Sequence, residues 1–597
     1  MIIDPILPQG PSITHHEIEH VTSACATGWN MKSGSYINAF RQTMTQITGQ
    51  KYALALSSCT GAMHIALNAL GLKRGDEVLV PDLADFAVAA CVMYCGAIPV
   101  FCDVDPDTLC LSAEDAARKI TPNTRGLIAV HLYGQPCRMA PLMDLAAKHG
   151  LFILEDATQG IGSRDNGRPA GSFGHFAAFS FKGKKSVVAG EGGMLLTSDD
   201  RLFDRAARLA AGGRSSDNPF AYDLVGFNYS ISALQAALGF AQTSRLDDLV
   251  AKKKQIHSWY KERLADMPGI RLNPVPQNSE PSFLTNLLFV DDQNIQRSRL
   301  IMQLHASSIL VEPVYFPLSS MPMFKQAQTP AAHAASVKAI CLPSGHNRTE
   351  EEVDYICAAI RQLLTEPGRD RAEVPPSGWL KYKSDTLEFF AAAKNKGFAI
   401  PFEHDGHSYT LSAVTAADIQ DANLVKTFTR WREASSIAFL TRTAVTEETM
   451  HQILNNYISA LSDYILFFIA DDKHLYGQVG LNDFAFQKHE CCIDGLYIES
   501  NAPKGLAAAA CETIFAWAKK SLDIKNIFNH VVASNKKVRL LAAAQGFREI
   551  SRTALYREEI PGGEIFRPMY MPGHDTPDEY LLICKKTLVG AETSGTE

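Results

Sequence analysis

The chain has no CxxC pair; its thirteen cysteines are scattered, and only Cys491 and Cys492 are adjacent. That argues against a zinc or disulfide framework and reads as a reduced, cytoplasmic interior with no metal site expected. Basic charge is not in excess: 57 Lys and Arg against 64 Asp and Glu leave a net charge of −7, so neither nucleic acid nor an anionic membrane is expected as a partner. No apolar run approaches the ~20 residues that span a bilayer. "MIIDPILPQG" has neither a basic start nor a long apolar stretch, so no signal peptide is expected. Internal repeats and low-complexity blocks are missing as well.

What is present points to several domains. At 597 residues the chain exceeds a single core, and about 150 residues per domain predicts two to four units. From about residue 50 to 250 short apolar runs alternate with helical patterns: "YALALS" into "GAMHIALNAL", "EVLVPD" into "FAVAACVMY", "GLIAVHLYG" into "MAPLMDLAAKHG". Such alternation predicts an α/β fold whose mostly parallel sheet is covered on both faces. Residues 230–265 keep an apolar 3,4 spacing and read as one long helical stretch, and 270–365 read as a smaller α/β unit. "TEPGRDRAEVPPSG", 365–378, is polar, proline-rich and aperiodic, as linkers are. The expected organisation is a domain over 1–366, a linker over 367–378, a second domain over 379–588 and a frayed tail over 589–597.

In an open parallel sheet, ligands gather at the carboxyl ends of the strands, where helices begin. Three stretches fall there. "LALSSCTGAMHIAL" puts small hydroxyl and thiol residues at a helix start, whose backbone N–H groups suit a phosphate dianion; the same letters also make an ordinary helix cap. "LFILEDATQG" leaves Asp156 just after an apolar strand. "FSFKGKKSVVAGEGG", 179–193, holds Lys182, Lys184 and Lys185 between a strand and a glycine turn. A lysine cluster is ordinarily a solvated face, but beside a strand-end aspartate and a phosphate seat it fits one chemistry. Pyridoxal phosphate needs a lysine amine for its aldehyde, an Asp on its ring nitrogen and a helix terminus for its phosphate. The freed lysine can then carry a proton between carbons.

"GDEVLVPD", "CGAIPVFCDVDPDT", "HLYGQPCRMAPLMDLAAKHGLFILEDATQGIGS", "FSFKGKKSVVAGEGGML" and "GFNYSISALQAALGFAQTSRLDDL" together resemble the DegT/DnrJ/EryC1/StrS-type nucleotide-sugar aminotransferase family, over residues 1–365 and in the same order. The resemblance implies a PLP fold type I enzyme, a large mostly parallel sheet domain plus a small α/β domain, moving an amino group from L-glutamate to a nucleotide-linked keto-sugar. In that family the cofactor lysine lies five residues after the Ser of an "SF" pair and five before "GEGG", which selects Lys185 over Lys182 and Lys184. By position, Asp156 pairs with the pyridine nitrogen, Gln159 lies against the ring or its hydroxyl, and Thr60, Ser180 and the Cys59 backbone bind phosphate. Asn228 of "FNYS" matches an Asn that reaches a neighbouring subunit's phosphate site, which implies a homodimer. Asp85 stands where an aromatic residue usually stacks on the ring: either the adjacent Phe86 stacks instead or the face is lined differently. Ser230 replaces a basic residue and Ser319 a histidine. Family dehydratases carry histidine in place of Lys185, and "GEGG" leans towards amination at C4 of a 4-keto-6-deoxy sugar rather than C3.

The carboxy-terminal part shows a second pattern. "FFIADDKHLYGQVGL" reads as a hairpin, and "HECCIDGLYIES" as a strand leading to "NAPKGLAAAACETIFAWAKK". Gly505, Leu506 and Ala507 offer unobstructed backbone N–H groups at a helix start, as a coenzyme A pyrophosphate needs. With "IFNHVVASNKKVRLLAAAQGF" this order resembles the GNAT superfamily of N-acetyltransferases over about 408–585, most closely members that acetylate nucleotide-linked amino sugars. The resemblance assigns Leu496, Ile498, Gly505, Leu506, Ala507 and Asn535 to acetyl-CoA. Ala502 stands where a glutamine or arginine often opens the pyrophosphate motif, and Ala542 where a tyrosine often protonates the departing thiolate. Tyr556 is the substitute acid, and His489, Glu490 and Asp494 are candidate bases. Residues 379–407 match no pattern.

Joined, the halves imply amination of a nucleotide sugar followed by acetylation of the new amine, a route to sugars of surface polysaccharides. Two readings compete: an aminotransferase whose acyl-CoA module is degenerate or acts elsewhere, and a pyridoxal-binding regulator without turnover.

Overall fold

The computed structural model describes residues 5–29, 34–215, 218, 220–292, 295–366, 372, 378–434, 441–443, 446–458, 463–486, 489–532, 536–560, 563–567 and 579–588. The chain forms two compact units, Pro5–Val374 and the part beginning at Pro375. Most of the linker expected over 367–378, the tail over 589–597 and Asn535 lie outside the described residues. Among the described residues, no helix is long and apolar enough to cross a membrane.

The first unit is built on a seven-stranded sheet in the order Tyr52–Leu56, Gly193–Thr197, Phe176–Ser180, Phe152–Asp156, Thr124–Val130, Glu77–Pro81, Ile98–Cys102. The last five strands run parallel, and Gly193–Thr197 is antiparallel to both neighbours. Helices Cys59–Ala69, Phe86–Tyr94 and Met139–His149 pack on one face. Ser35–Thr48, Ala233–Thr243 and the first turns of Leu246–Leu264 pack on the other. Burial on both faces is why these strands are apolar runs without alternation. The smaller α/β portion has an antiparallel sheet, Ile270–Leu272, Asn286–Val290, Ala339–Leu342, Glu312–Pro313, and ends in helix Glu350–Thr365, opened by a Thr349–Glu352 capping box.

All five residues of Phe152–Asp156 are buried, two of them acids. Glu155 is tolerated because it accepts N–H bonds from Gly171 (2.8 Å), Phe173 (2.7 Å) and Gly174 (2.6 Å) and lies 3.0 Å from His131 Nε2. Since His131 Nδ1 accepts the Cys137 N–H, its Nε2 carries the hydrogen and donates.

The single long helix expected over 230–265 is two helices, Ala233–Thr243 and Leu246–Leu264. The Thr243 and Ser244 hydroxyls bond back to Gly239, Phe240 and Ala241 carbonyls, which weakens a helix end. Arg245 leaves helical geometry (φ −110°, ψ 18°) and donates to Glu17 at 2.5 Å. Glu17 also accepts from the Thr14 amide (2.7 Å) and hydroxyl (2.6 Å) and from Gln242 (2.8 Å). No local apolar spacing records that tertiary clamp.

From Pro375 the second unit carries a ten-stranded sheet in the order Ala399–His404, His407–Ala413, Ile465–Ala470, Leu475–Ala485, Glu490–Ile498, Asn526–Val532, Glu579–Thr587, Arg548–Ile560, Gly563–Arg567, Thr441–Thr443. Among the described residues, only Glu490–Ile498 and Asn526–Val532 pair in parallel. Residues 379–407, unassigned from sequence, supply most of helix Gly378–Lys396 and the edge strand Ala399–His404. Gly378–Lys396 and Leu506–Leu522 cover one face and Ala422–Ala434 and Glu447–Ile458 the other.

Burial pushes the Glu17 carboxyl up, but the Thr14, Arg245 and Gln242 bonds outweigh it and bring it from 4.5 to about 2. A depressed folded value stabilises above the unfolded one and is lost as pH falls through the folded one. Glu17→Gln is therefore expected to cost roughly 2–3 kcal/mol at pH 7 and about half that or less at pH 3, read by urea unfolding; an equal loss at both pH values would refute the clamp.

Candidate active site

The carboxyl ends of the parallel strands surround a cavity of about 440 Å³ lined by Asp85, Phe86, Gln159, Lys184 and Lys185, with Gln9, Tyr133, Thr285, Glu312 and Tyr315 among others. A larger cavity, about 840 Å³, opens at the opposite ends of the strands and contains none of the expected site residues.

Asp156 ends its strand in full burial, with Oδ1 accepting the Thr158 N–H at 3.1 Å. Burial raises its pKa against the Thr158 bonds and the Lys185 charge, and the Asp85 charge adds to the rise. A carboxylate so placed calls for a cationic partner in the cavity.

The three lysines separate by environment. Lys182 lies 3.6 Å from Glu191 and Lys184 2.9 Å from Glu312, in largely exposed pairs; such pairs contribute little to stability. Lys185 is half-buried on the cavity wall and acts on both Asp156 and Cys59. Its loop is tied by Phe181 N–H to Gly192 O (3.0 Å), Ala189 N–H to Phe181 O (2.7 Å) and Lys185 N–H to Lys182 O (3.0 Å).

Cys59 and Thr60 open helix Cys59–Ala69, capped by Ser58, which accepts the Gly61 N–H at 3.0 Å. Gly193 pairs with both Leu56 and Ser180, so Ser180 lies one strand away from the residues leading into that helix. A Cβ at Gly193 would stand 2.3 Å from the Ser58 carbonyl and 2.6 Å from Cys59 N. Only glycine lets the strand ends converge on the helix start. Cys59 Sγ lies 3.3 Å from Thr158 Oγ1, linking this corner to Asp156.

Gln159 Oε1 accepts the Tyr133 N–H at 2.8 Å and holds Tyr133 in a left-handed conformation, φ 57°. Tyr133 stacks on Tyr315 (5.8 Å, 22°), and Tyr133 Oη accepts the Tyr315 N–H at 2.9 Å. Asp85 caps helix Phe86–Tyr94 through Ala87 N–H (3.0 Å), and its other oxygen accepts from Tyr315 Oη at 3.4 Å. Phe86 is 43% exposed and tilts against Phe324. Ser319 turns from the cavity into the core, its amide (2.6 Å) and hydroxyl (2.7 Å) donating to Asp82. Asn228 and Ser230 are exposed beside the helix start, where Ser57 N–H meets Tyr229 O at 2.6 Å. Gln9, Tyr133, Thr285 and Tyr315 share this cavity although no local pattern in the sequence marks them as partners.

In the second unit the ladder between Glu490–Ile498 and Asn526–Val532 ends at Ile493–Asn529, and the pairing with Leu475–Ala485 shifts register between Gln478 and Gly480, opposite Asp494 and Tyr497. Leu496 and Ile498 therefore lie where the two parallel strands part, with Asp494 at the shift. Gly505 precedes Leu506–Leu522 at φ 88°, where a Cβ would meet the His404 ring at 3.1 Å. Leu506 departs from expectation: its side chain is core and its N–H is engaged by Pro503 O at 3.1 Å, so it offers no free donor at the helix start. His489 and Glu490 also depart from it. They sit at the far end of the strand, roughly 20 Å from Leu496 at ~3.3 Å per residue. There His489 Nδ1 meets Asp523 O at 3.1 Å and Glu490 accepts from Asn526 at 2.9 Å. Tyr556 pairs with Arg567 in the adjoining hairpin.

Residues 11–361 match the family model described as the DegT/DnrJ/EryC1/StrS aminotransferase family, and residues 428–547 match that of the Acetyltransferase (GNAT) family. The chain is 34% identical over 360 residues to GDP-perosamine synthase of Escherichia coli O157:H7, covering 60% of this chain and 98% of the relative. GDP-perosamine synthase of Caulobacter vibrioides is 35% identical over 359 residues, 59% of this chain and 97% of that one. Among solved structures, the aminotransferase TlmJ from Streptoalloteichus hindustanus superposes with TM-score 0.57 at 26% identity, over 60% of this chain and 99% of its own.

A raised carboxyl pKa adds no cost below the unfolded value and destabilises increasingly as pH rises through the folded one. In cofactor-free protein, Asp156→Asn is thus expected to raise the melting temperature by a few degrees at pH 8 and not at pH 4. Scanning fluorimetry showing a lower value at pH 8 would count against the buried charge.

Proposed function

As the chain belongs to the DegT/DnrJ/EryC1/StrS aminotransferase family, we propose that its first unit transfers the amino group of L-glutamate to C4 of a GDP-linked 4-keto-6-deoxy sugar. The second unit then acetylates that amine from acetyl-CoA. The observation that carries the first step is Lys185 on the cavity wall with the buried Asp156 carboxyl within its field.

The residues fit pyridoxal 5′-phosphate. Lys185 would hold its aldehyde, Asp156 its ring nitrogen, and the Cys59–Thr60 helix start with Ser180 its phosphate, in the corner that Gly193 keeps open. When bound, the cofactor supplies an electron-accepting ring. Asp156 holds a proton on the ring nitrogen, a charge pairing that its burial favours. Lys185 Nζ takes the proton from the donor's α-carbon and returns one at the sugar carbon. Tyr133 and Tyr315, locked together by stack and hydrogen bond, wall the cavity and exclude water.

GDP is favoured by the names of the 34–35% identical relatives, and C4 by the resemblance carried in the Gly190–Gly193 turn. A homodimer is supported by Phe220 (92% exposed), Val225 (91%) and Tyr222 (61%), apolar residues beside Asn228 that a second copy would cover. For the second step, the parting of strands after Ile493 leaves backbone at Leu496–Ile498 for the acyl-CoA arm, with the Gly505 and Ala507 amides for its pyrophosphate.

With the cofactor-loaded chain, ¹⁵N-glutamate, a GDP-linked 4-keto-6-deoxy sugar and acetyl-CoA, NMR is expected to find ¹⁵N at C4 carrying an acetyl group. Lys185→Ala should lower amine formation by at least about 10³-fold. Nitrogen at C3, or an amine left free, would overturn the corresponding half.

A further inference from the structure

A buried lysine stands behind the cavity wall with no part in the chemistry above. Lys253, on helix Leu246–Leu264, is 1% exposed. Its Nζ donates to Leu284 O (3.1 Å), Gln9 Oε1 (3.3 Å) and Ser344 O. These oxygens are neutral, and burial lowers the lysine from 10.5 to about 7. A cation kept in the interior on neutral acceptors alone is costly for the fold, and such groups cluster at functional sites.

Two of these partners, Gln9 and Leu284, line the cavity. Thr285 lines it as well, and Gln9 Nε2 donates to Thr285 Oγ1 at 3.1 Å. An ammonium only donates, so Lys253 fixes which end of the Gln9 amide is oxygen and leaves the NH₂ on the Thr285 side. That NH₂ uses one hydrogen on Thr285, whose oxygen accepts it. Each partner therefore keeps one hydrogen, from N–H and O–H, that no acceptor among the described residues takes. Two donors about 3 Å apart, polarised from behind by a buried ammonium, match the two oxygens of a carboxylate. The other cavity cations are committed: Lys184 to Glu312, and Lys185 to the role proposed above.

We propose that Gln9 and Thr285, positioned and polarised by Lys253, seat a carboxylate of the amino donor L-glutamate. The inference rests on the aminotransferase reading and names the donor subsite within it. The pair binds the dicarboxylate by its carboxylate and releases 2-oxoglutarate by the same contacts. An anion docked there also favours the charged form of Lys253.

The test uses the cofactor-loaded full chain and follows the visible absorbance change of each half-reaction separately. Gln9→Leu, Thr285→Val and Lys253→Met are each expected to raise the L-glutamate concentration for half-maximal rate about tenfold or more, and to raise that for a GDP-linked amino sugar several-fold less. Lys253→Met should also flatten the pH dependence of glutamate affinity between pH 6 and 8, which a merely structural residue would not do. Variants that react with glutamate as the wild type does, or that weaken the nucleotide sugar instead, overturn the subsite. Should any one variant fail to fold, the other two decide it. A wild type whose spectrum glutamate leaves unchanged overturns the aminotransferase reading and the subsite with it.

Discussion

One carboxyl group kept dry at a strand end, that of Asp156, is the constraint around which the first unit is arranged. A charge in that position is costly unless a cation meets it. The strand must nevertheless carry it there, because the carboxyl ends of parallel strands are where helix starts and loops converge. The neighbouring Glu155, bonded to three amides of the 171–174 turn and to His131, anchors the strand. The position of Asp156 is thus set by contacts that take no part in chemistry.

Around that charge, residues of like chemistry are given different work by their surroundings. Lys182 is placed against the surface acid Glu191 and Lys184 against Glu312 on the cavity wall, while Lys185, held by its closed loop, faces the same cavity and the Asp156 charge. Asp85, an acid where a ring face would lead one to expect an aromatic residue, caps a helix and takes the Tyr315 hydroxyl, while Tyr133 and Tyr315 stack against each other in the same wall. In the second unit a strand divergence and a register shift, rather than a particular side chain, mark the place proposed for an acyl-CoA arm.

Much of the architecture was legible because its signals are local. Uninterrupted apolar runs marked strands covered on both faces, and the family resemblance, counted from Ser180 and Gly190, pointed to Lys185 among the three lysines. The helix break at Ser244 and Arg245 was not legible, since the apolar spacing continues through it and the clamp on Glu17 comes from more than two hundred residues away. His489 and Glu490 looked eligible because a strand sequence does not say where its ladder with a neighbour ends. Leu506 looked like a free donor because the Pro503 carbonyl that takes its N–H depends on the fold of the turn before it.

The order of elements, the two-domain character and the residues proposed for chemistry at strand ends were legible in the sequence alone, for periodicity and short motifs act within a few residues of chain. The company those residues keep was decided only in three dimensions. Gln9, Tyr133, Lys253, Thr285 and Tyr315 come from separate segments, and burial and hydrogen-bond geometry, which no residue carries by itself, bring four of them to one cavity with Lys253 behind its wall.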